Sequence, residues 1–201
     1  MTMEAGENPK KVVPRPVGAA KYGMLLERTK TRLSVFVAGP YLEPGWHGES
    51  LDGKEPSVKL RAKLRDHVAA QGNDVILGEH NGVAEITTET IPSVGNIAAS
   101  ELALVRDADA IILIPDSPGS FCEAGAWSMM DGICPKTLIF PNAEYQAEIG
   151  YVQTALLPFY RSQHSRVEWL DYTNFDQAVA IVDEFLGEIA DRKVVEGLKR
   201  G

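Results

Sequence analysis

A continuous apolar run, followed directly by turn-forming residues, constrains the fold of this chain more than any other stretch. The run is Ala110–Ile114, and such unbroken apolar residues are typical of a β-strand that is buried on both faces. The next residues, Pro115–Ser120, are rich in proline, glycine and serine and predict a tight loop. Phe121–Met130 is predicted to form a helix whose small residues allow close packing on a sheet. This strand–loop–helix order is typical of an α/β fold.

Glu123 is the first candidate for a functional residue. It falls in the first turn of the predicted helix, where the positive end of the helix dipole tends to keep a carboxyl group ionised. It also follows the carboxyl end of a predicted parallel strand, which is where open α/β sheets bind their ligands. We therefore predict that Glu123 lies at a ligand site.

The loop that precedes this helix has two interpretations. Ser117, Gly119 and Ser120 offer hydroxyl and backbone N–H groups that are suited to an anion such as phosphate. Alternatively, Asp116 and Ser117 cap the helix and Pro118 is its first residue, which requires no ligand. The loop sequence is compatible with both.

Further strands and helices alternate along the chain. The strands are predicted at Leu33–Ala38, Asn73–Leu77, Lys136–Phe140 and Arg166–Leu170. The helices are predicted at Val58–Gln71 with Ser57 as its cap, at Asn96–Asp107 and at Asn174–Ala190. This alternation predicts a doubly wound, flavodoxin- or Rossmann-like sheet of five parallel strands, in the order 2-1-3-4-5, with helices on both faces.

The predicted elements fit a single α/β domain over residues 31–192. Residues 1–30 are polar and contain prolines and basic residues without strong apolar periodicity, which favours an N-terminal arm or tail. Residues 193–201 are predicted to form a charged tail. The sequence shows no internal repeat and no second apolar core, so one domain is the economical prediction.

The loop after the first predicted strand is the second candidate region. It begins Gly39-Pro40-Tyr41 and continues for a length that is uncommon unless a loop binds or covers something. Tyr41 and Trp46 are suited to stacking on a base or another ring. The alternative, favoured for Trp46, is that these rings anchor the loop. The predicted strand order places this loop beside the one that leads to Glu123.

Three further residues are candidates for contacts with a ligand. Arg61 and Arg65 lie one turn apart and are predicted on a solvated helix face, but Arg61 is early enough in the helix to reach an anion near Gly39. Glu79 and His80 follow the second predicted strand, where they either contact a ligand or belong to a plain loop.

Glu101 is misplaced for an ordinary surface acid. It lies on or beside the apolar stripe of the helix predicted at Asn96–Asp107, and an unpaired carboxylate there is costly. It therefore either points into a cleft or pairs with a base such as Arg106.

The composition excludes several classes of protein. A net charge of −8, mixed along the chain, argues against a general nucleic-acid binder. The cysteines and histidines lack the spacing of a disulfide framework or a metal site, so we expect neither a metal nor a cofactor. No apolar run is long enough to span a bilayer and no signal-peptide pattern is present, so we expect a cytoplasmic protein without membrane contact. Phosphate-loop, dinucleotide-binding and nucleophile-elbow motifs are absent.

Once these classes are excluded, the sequence still predicts an acid-rich crevice with a turn suited to an anion and aromatic rings nearby. Such a crevice suits chemistry at a sugar carbon with oxocarbenium character. One carboxylate acts there as a nucleophile or stabilises the charge, and a second carboxyl group handles protons.

Three motifs resemble the nucleoside 2-deoxyribosyltransferase-like superfamily. They are VFVAGPY at residues 35–41, ELALVRDADAIILI at 101–114 and SPGSFCEAG at 117–125. The superfamily includes nucleotide N-glycosidases and effectors associated with retrons, and the SPGSF-x-E-x-G form is closest to those branches.

The resemblance implies a role for each matching residue. Glu123 matches a catalytic glutamate that attacks or stabilises the anomeric carbon. Glu101 stands where many members have an aspartate, which transfers a proton or holds the sugar hydroxyls. The loop that lines sugar and base corresponds to Gly39, Pro40 and Tyr41. The turn that contacts a 5′-phosphate in nucleotide-using members corresponds to Ser117, Gly119 and Ser120.

We therefore expect an enzyme that cleaves the N-glycosidic bond of a nucleoside or a nucleoside 5′-monophosphate. Hydrolysis is favoured over base exchange because the turn suits a phosphate. The alternatives are a nucleotide-binding sensor or effector without turnover, and a toxin-like effector that depletes NAD or nucleotides. The resemblance also implies a homodimer or larger homo-oligomer.

Overall fold

The computed structural model of the protein describes residues 31–43, 45–79 and 97–200. The predicted arm at residues 1–30 and the candidate ligand His80 lie outside these ranges.

The sheet has the predicted architecture. Its strands are β1 (Ser34–Ala38), β2 (Asp74–Ile76), β3 (Ala110–Leu113), β4 (Thr137–Ile139) and β5 (Arg166–Val167). All neighbouring pairs are parallel, and the order is β2-β1-β3-β4-β5. The doubly wound fold and its strand order are therefore confirmed. The switch point of the topology lies between β1 and β3.

The α-helices follow the predicted alternation. They are α1 (Pro56–Ala70), α2 (Ile97–Asp107), α3 (Pro118–Ser128), α4 (Leu157–Ser162) and α5 (Phe175–Arg200). Short 3₁₀ helices lie at Gly48–Leu51, Cys134–Lys136 and Ala143–Tyr145, and a π-helical turn at Val152–Leu156 leads into α4. None of the helices in the described ranges combines the length and apolarity needed to cross a membrane.

The side chains of β1 alternate between two buried clusters, one on each face of the sheet. Val35 and Val37 pack with α1 and α5, whereas Phe36 packs with α3 and α4. The ring of Phe36 meets the buried Trp127 edge-on, with centroids 5.7 Å apart. Helices therefore cover both faces, as the apolar run of β3 predicts.

Two helix boundaries differ from the prediction. α1 begins at Pro56, so Ser57 is a buried helical residue and not the cap. α5 continues through Arg200, so residues 193–200, predicted as a charged tail, are helical. Lys193 donates a hydrogen bond to Asp109 at 2.6 Å, which ties this last part of α5 to the residue that precedes β3.

Candidate active site

A cleft of about 340 Å³ opens at the carboxyl ends of β1 and β3. Ala38 lies beside Leu113 in the parallel register, so the loops that follow the two strands emerge side by side. This is the switch point at which open α/β sheets bind ligands. The described residues that line the cleft are Phe36, Ala38, Gly39, Tyr41, Arg61, Gly78, Glu79, Glu101, Ser117, Gly119, Ser120 and Glu123.

A capping box fixes the start of α3. The hydroxyl of Ser117 accepts a hydrogen bond from the Ser120 N–H at 3.2 Å, and the Ser120 hydroxyl accepts one from the Ser117 N–H at 2.9 Å. Pro118 is the first helical residue. Glu123 therefore lies beyond the first turn, and its predicted place at the helix start is wrong.

The donors at the start of α3 are engaged with one another. The N–H groups of Asp116 and Ser117 both donate to the Ser120 hydroxyl, at 3.1 and 2.9 Å. That hydroxyl donates in turn to the carbonyl oxygen of Ser117 at 3.0 Å. Ser117 is therefore confirmed as the cap and Pro118 as the first helical residue, whereas anion binding by this loop stays a prediction. An anion bound here has to compete with these hydrogen bonds.

Glu123 is partly buried, and its pKa is raised from 4.5 to about 7. Burial is the largest cause, because it disfavours the charged form, and the neighbouring carboxyl group of Glu101 adds to it. Arg61 acts in the opposite direction, and Glu79 raises the pKa further. The expectation that the helix dipole keeps Glu123 ionised is wrong, since burial and like charges outweigh it.

Glu101 points from α2 into the cleft, the first of the two placements that its misplaced charge predicts. Burial raises its pKa, and the charge of Glu79 raises it further. A Cβ at Gly78 would collide with Oε1 of Glu101, so the carboxyl group lies directly against the backbone there. Although three glutamates line the cleft, no group of three or more His, Cys, Asp or Glu side chains in the described part of the chain is placed to hold a metal ion.

Arg61 and Arg65 are both buried, so the prediction of a solvated helix face is wrong. Arg61 donates to the carbonyl oxygens of Val37 and Pro40 and forms an ion pair with Glu79. Burial alone would raise the pKa of Glu79, but the hydrogen bonds and charge of Arg61 outweigh it and lower the pKa. Paired backbone and side-chain acceptors therefore compensate the buried guanidinium.

The loop after β1 contributes Gly39 and Tyr41 to the cleft. A Cβ at Gly39 would lie 3.1 Å from Cβ of Ile114, so glycine permits the close approach of this loop to the end of β3. The side chain of Tyr41 is 61% exposed and is available to a ligand. Pro40 and Trp46 are not among the described residues that line the cleft.

Trp46 matches the alternative of a loop anchor. It packs against the core cluster that contains Val35, and its carbonyl oxygen accepts a hydrogen bond from Arg65 at 2.6 Å. Lys54 lies over its ring, with Nζ 3.9 Å from the centroid. These contacts hold the ring within the fold.

Sequence reasoning missed three residues that line the cleft, namely Phe36, Ala38 and Gly78. Phe36 and Ala38 are two residues apart in β1, so both point to the face of the sheet that α3 covers. Gly78 follows β2 after one residue, Leu77, and a glycine at the carboxyl end of a strand is a signal of close approach. Its partner across the cleft is far away in sequence, and the pattern of residues around Gly78 does not identify it.

Comparison with known families gives a match that covers most of the chain. Residues 58–199 match the model of a family described as STM3845 retron effector protein. The matched region contains Arg61, Glu79, Glu101 and Glu123, whereas β1 and the loop after it precede it. No curated protein matches the chain. The resemblance to retron-associated effectors is thus confirmed, whereas membership of the nucleoside 2-deoxyribosyltransferase-like superfamily stays a prediction.

Proposed function

Because this chain belongs to the STM3845 retron effector family, we propose that it is an effector enzyme that cleaves the N-glycosidic bond of a nucleoside or a nucleoside 5′-monophosphate. The observation that carries the proposal is the pair Glu101 and Glu123. Both carboxyl groups line one cleft at the switch point of the sheet, and both have a raised pKa. Enzymes that break glycosidic bonds commonly use a pair of carboxyl groups with altered pKa values.

In the first step the bond from the anomeric carbon to the base breaks. The ionised carboxylate of Glu123 attacks or stabilises that carbon, and the carboxylic acid of Glu101 gives its proton to the departing base. The two groups together must hold one proton for this step. Their mutual repulsion favours that state, because two carboxylates that share a low-dielectric site do not both ionise readily.

In the second step a water molecule attacks the same carbon. Its proton goes to the Glu101 carboxylate and its oxygen remains on the sugar; where Glu123 has attacked the carbon in the first step, its bond to the sugar breaks. This returns both groups to their starting states. If an acceptor base replaces water, the same residues perform base exchange.

The proposal specifies a substrate with a sugar–base bond, and it does not require that the substrate carry a 5′-phosphate. In the turn at Ser117–Ser120, which favours a 5′-phosphate by resemblance, the N–H groups of Ser117 and Ser120 are engaged in the capping box. Tyr41, exposed at the mouth of the cleft, offers a ring on which a base can stack. Both nucleosides and nucleotides therefore belong in the test.

The test is chromatographic detection of free base. The wild type, Glu123→Gln and Glu144→Gln are incubated with ribo- and deoxyribonucleosides, their 5′-monophosphates and NAD, with and without an acceptor base. Glu144 is exposed and outside the cleft, so its variant controls for the loss of a carboxylate. We expect Glu123→Gln to lose base release by about 10³-fold or more, with Glu144→Gln unchanged.

Three results would redirect the proposal. New nucleoside that forms only with an acceptor base would make the protein a transferase. Base release from NAD alone would make it an NAD-depleting effector. A shift in melting temperature without release of any base would make it a nucleotide-binding effector without turnover.

The pH dependence provides a second test of the role of Glu123. Because the first step needs one proton on the pair, kcat/KM falls as the pH rises past about 7, where Glu123, the group with the larger shift, ionises and the pair loses that proton. A rise through the same range would instead mean that Glu101 keeps its proton above the pH at which Glu123 ionises.

A further inference from the structure

The guanidinium of Arg61 is 3% exposed and uses its whole set of donors within the protein. Nε and Nη2 donate to the carbonyl oxygen of Val37, at 3.1 and 2.8 Å. Nη1 donates to the carbonyl oxygen of Pro40 at 2.7 Å. Nη1 and Nη2 also donate to the two carboxylate oxygens of Glu79. An arginine has five N–H donors, and these contacts occupy all of them.

Glu79 extends this network to the other side of the same loop. Its Oε1 accepts a hydrogen bond from the backbone N–H of Leu42 at 2.9 Å. The backbone is therefore held at Pro40 by Arg61 and at Leu42 by Glu79, and Tyr41 lies between these two points. The side chain of Tyr41 is largely exposed, so the fixed backbone on either side orients it.

We infer that Arg61 and Glu79 form a buried clamp that positions the loop of residues 39–42 and holds Tyr41 at the mouth of the cleft, and that neither residue binds the substrate. A substrate anion could reach Arg61 only by displacing backbone carbonyls or Glu79. Such a displacement would leave buried polar groups without partners, which is costly. The clamp takes the place of the ligand contacts for which the sequence makes both residues candidates.

The clamp also accounts for how a buried arginine coexists with an acid that keeps a raised pKa. Arg61 lowers the pKa of Glu123 and Glu79 raises it, so their charges act in opposite directions on the catalytic carboxyl group. The pair presents little net charge to the cleft. Burial and Glu101 then dominate the pKa of Glu123.

Arg65 provides a matched control. It lies one turn further along α1 and is similarly buried, at 8% exposure. It donates to the carbonyl oxygen of Trp46 and to Asp66, and it does not line the cleft. A lysine at either position keeps the positive charge but cannot reproduce the planar set of donors.

The first experiment measures amide hydrogen exchange of Leu42 by NMR, without substrate, in the wild type, Arg61→Lys, Glu79→Ala and Arg65→Lys. We expect the protection of Leu42 to fall by about tenfold in the two clamp variants and to stay unchanged in Arg65→Lys. Unchanged protection in a folded Arg61→Lys would overturn the clamp, and so would an equal loss in Arg65→Lys. If Glu79→Ala does not fold, Arg61→Lys decides alone.

The second experiment is kinetic and rests on the proposed function. For a clamp, Arg61→Lys lowers kcat/KM for a nucleoside and for its 5′-monophosphate by the same factor, because Tyr41 is misplaced for both. A selective rise in KM for the monophosphate would overturn the inference and make Arg61 a phosphate ligand. If no base is released from any substrate, the proposed function fails, while the exchange of Leu42 still decides the clamp.

Discussion

Glu79 and Glu123 line the same cleft and are both partly buried, yet their pKa values are shifted in opposite directions. Arg61 accounts for the difference, because it forms hydrogen bonds to both carboxylate oxygens of Glu79. No hydrogen bond from another described residue reaches the carboxyl group of Glu123, and the charge with the largest effect on its pKa is the like charge of Glu101. Burial raises the pKa of both groups, and the partner decides the sign.

The comparison separates a structural carboxylate from one that is available for chemistry. A carboxylate whose oxygens are satisfied by the protein stabilises the fold and has little capacity for a ligand. One that is desolvated without a partner costs stability and retains its capacity to react. We therefore expect different roles for the two glutamates of this cleft, with Glu79 stabilising the fold and Glu123 available for chemistry.

Glu79→Ala should remove the paired glutamate of this comparison and have the largest effect on stability. It leaves the guanidinium of Arg61 buried without its partner, so we expect the free energy of unfolding at pH 7 to fall by about 3 kcal/mol or more. The pKa of Glu79 is lowered on folding, so its contribution is complete above the unfolded pKa and is lost as the pH falls through the folded pKa. Denaturation measured from pH 7 down to pH 3 tests this, and an effect that does not shrink with falling pH would contradict the pairing.

Glu123→Gln should have the opposite effect on stability. The pKa of Glu123 rises from 4.5 to about 7 on folding, so ionisation in the folded state costs stability progressively as the pH increases between these values. We expect the variant to be more stable than the wild type at pH 8 by roughly 1–2 kcal/mol, and the difference to vanish at pH 4. Thermal melts at the two pH values test this, and a less stable variant at pH 8 would remove the distinction between the two glutamates.

Gly78→Ala should sharpen the comparison by moving one carboxyl group. The new Cβ collides with the flexible end of Glu101, which can shift at little cost in stability. We expect the melting temperature to change little and base release to fall roughly tenfold, because misplaced catalytic groups lose rate. Gly125→Ala is the control, since a Cβ there meets nothing and an alanine favours helix α3. Equal activities of both variants would argue against a role for Glu101.

Glu101→Gln should have the smallest effect of these variants, a change in the pKa of Glu123. The charge of Glu101 raises the pKa of Glu123, so its removal should lower that pKa from about 7. Titration of the Glu123 carboxyl carbon by NMR reports this without substrate. A pKa that stays near 7 would mean that burial alone sets it.

Much of the fold could be predicted from the sequence, because its signals are local. The apolar run at Ala110–Ile114 predicted a buried strand, and β3 covers four of these residues. The breaker cluster after it predicted the loop, and the alternation of strands and helices predicted the parallel sheet with its order. The switch point, and with it the meeting of Tyr41 and Glu123 at one cleft, followed from that topology.

The side-chain partners could not be predicted in the same way. Arg61 and Arg65 have the spacing of a solvated face, yet both are buried against carbonyl groups of the loop after β1. Because of the capping box at Ser117 and Ser120, the helix begins at Pro118 and not at Phe121, so Glu123 lies beyond its first turn. Each of these outcomes depends on which atoms compete for one hydrogen bond.

The sequence by itself determined the order of the elements, the parallel sheet and the edge of the sheet at which the candidate glutamates lie. These features could be predicted because apolar periodicity and turn chemistry act over a few residues. The tertiary structure alone decided which glutamate is paired and which is left with a raised pKa. That choice depends on burial and on the distance to Arg61, a residue brought to the cleft from another helix, and free energies of charge are set by such distances and not by spacing along the chain.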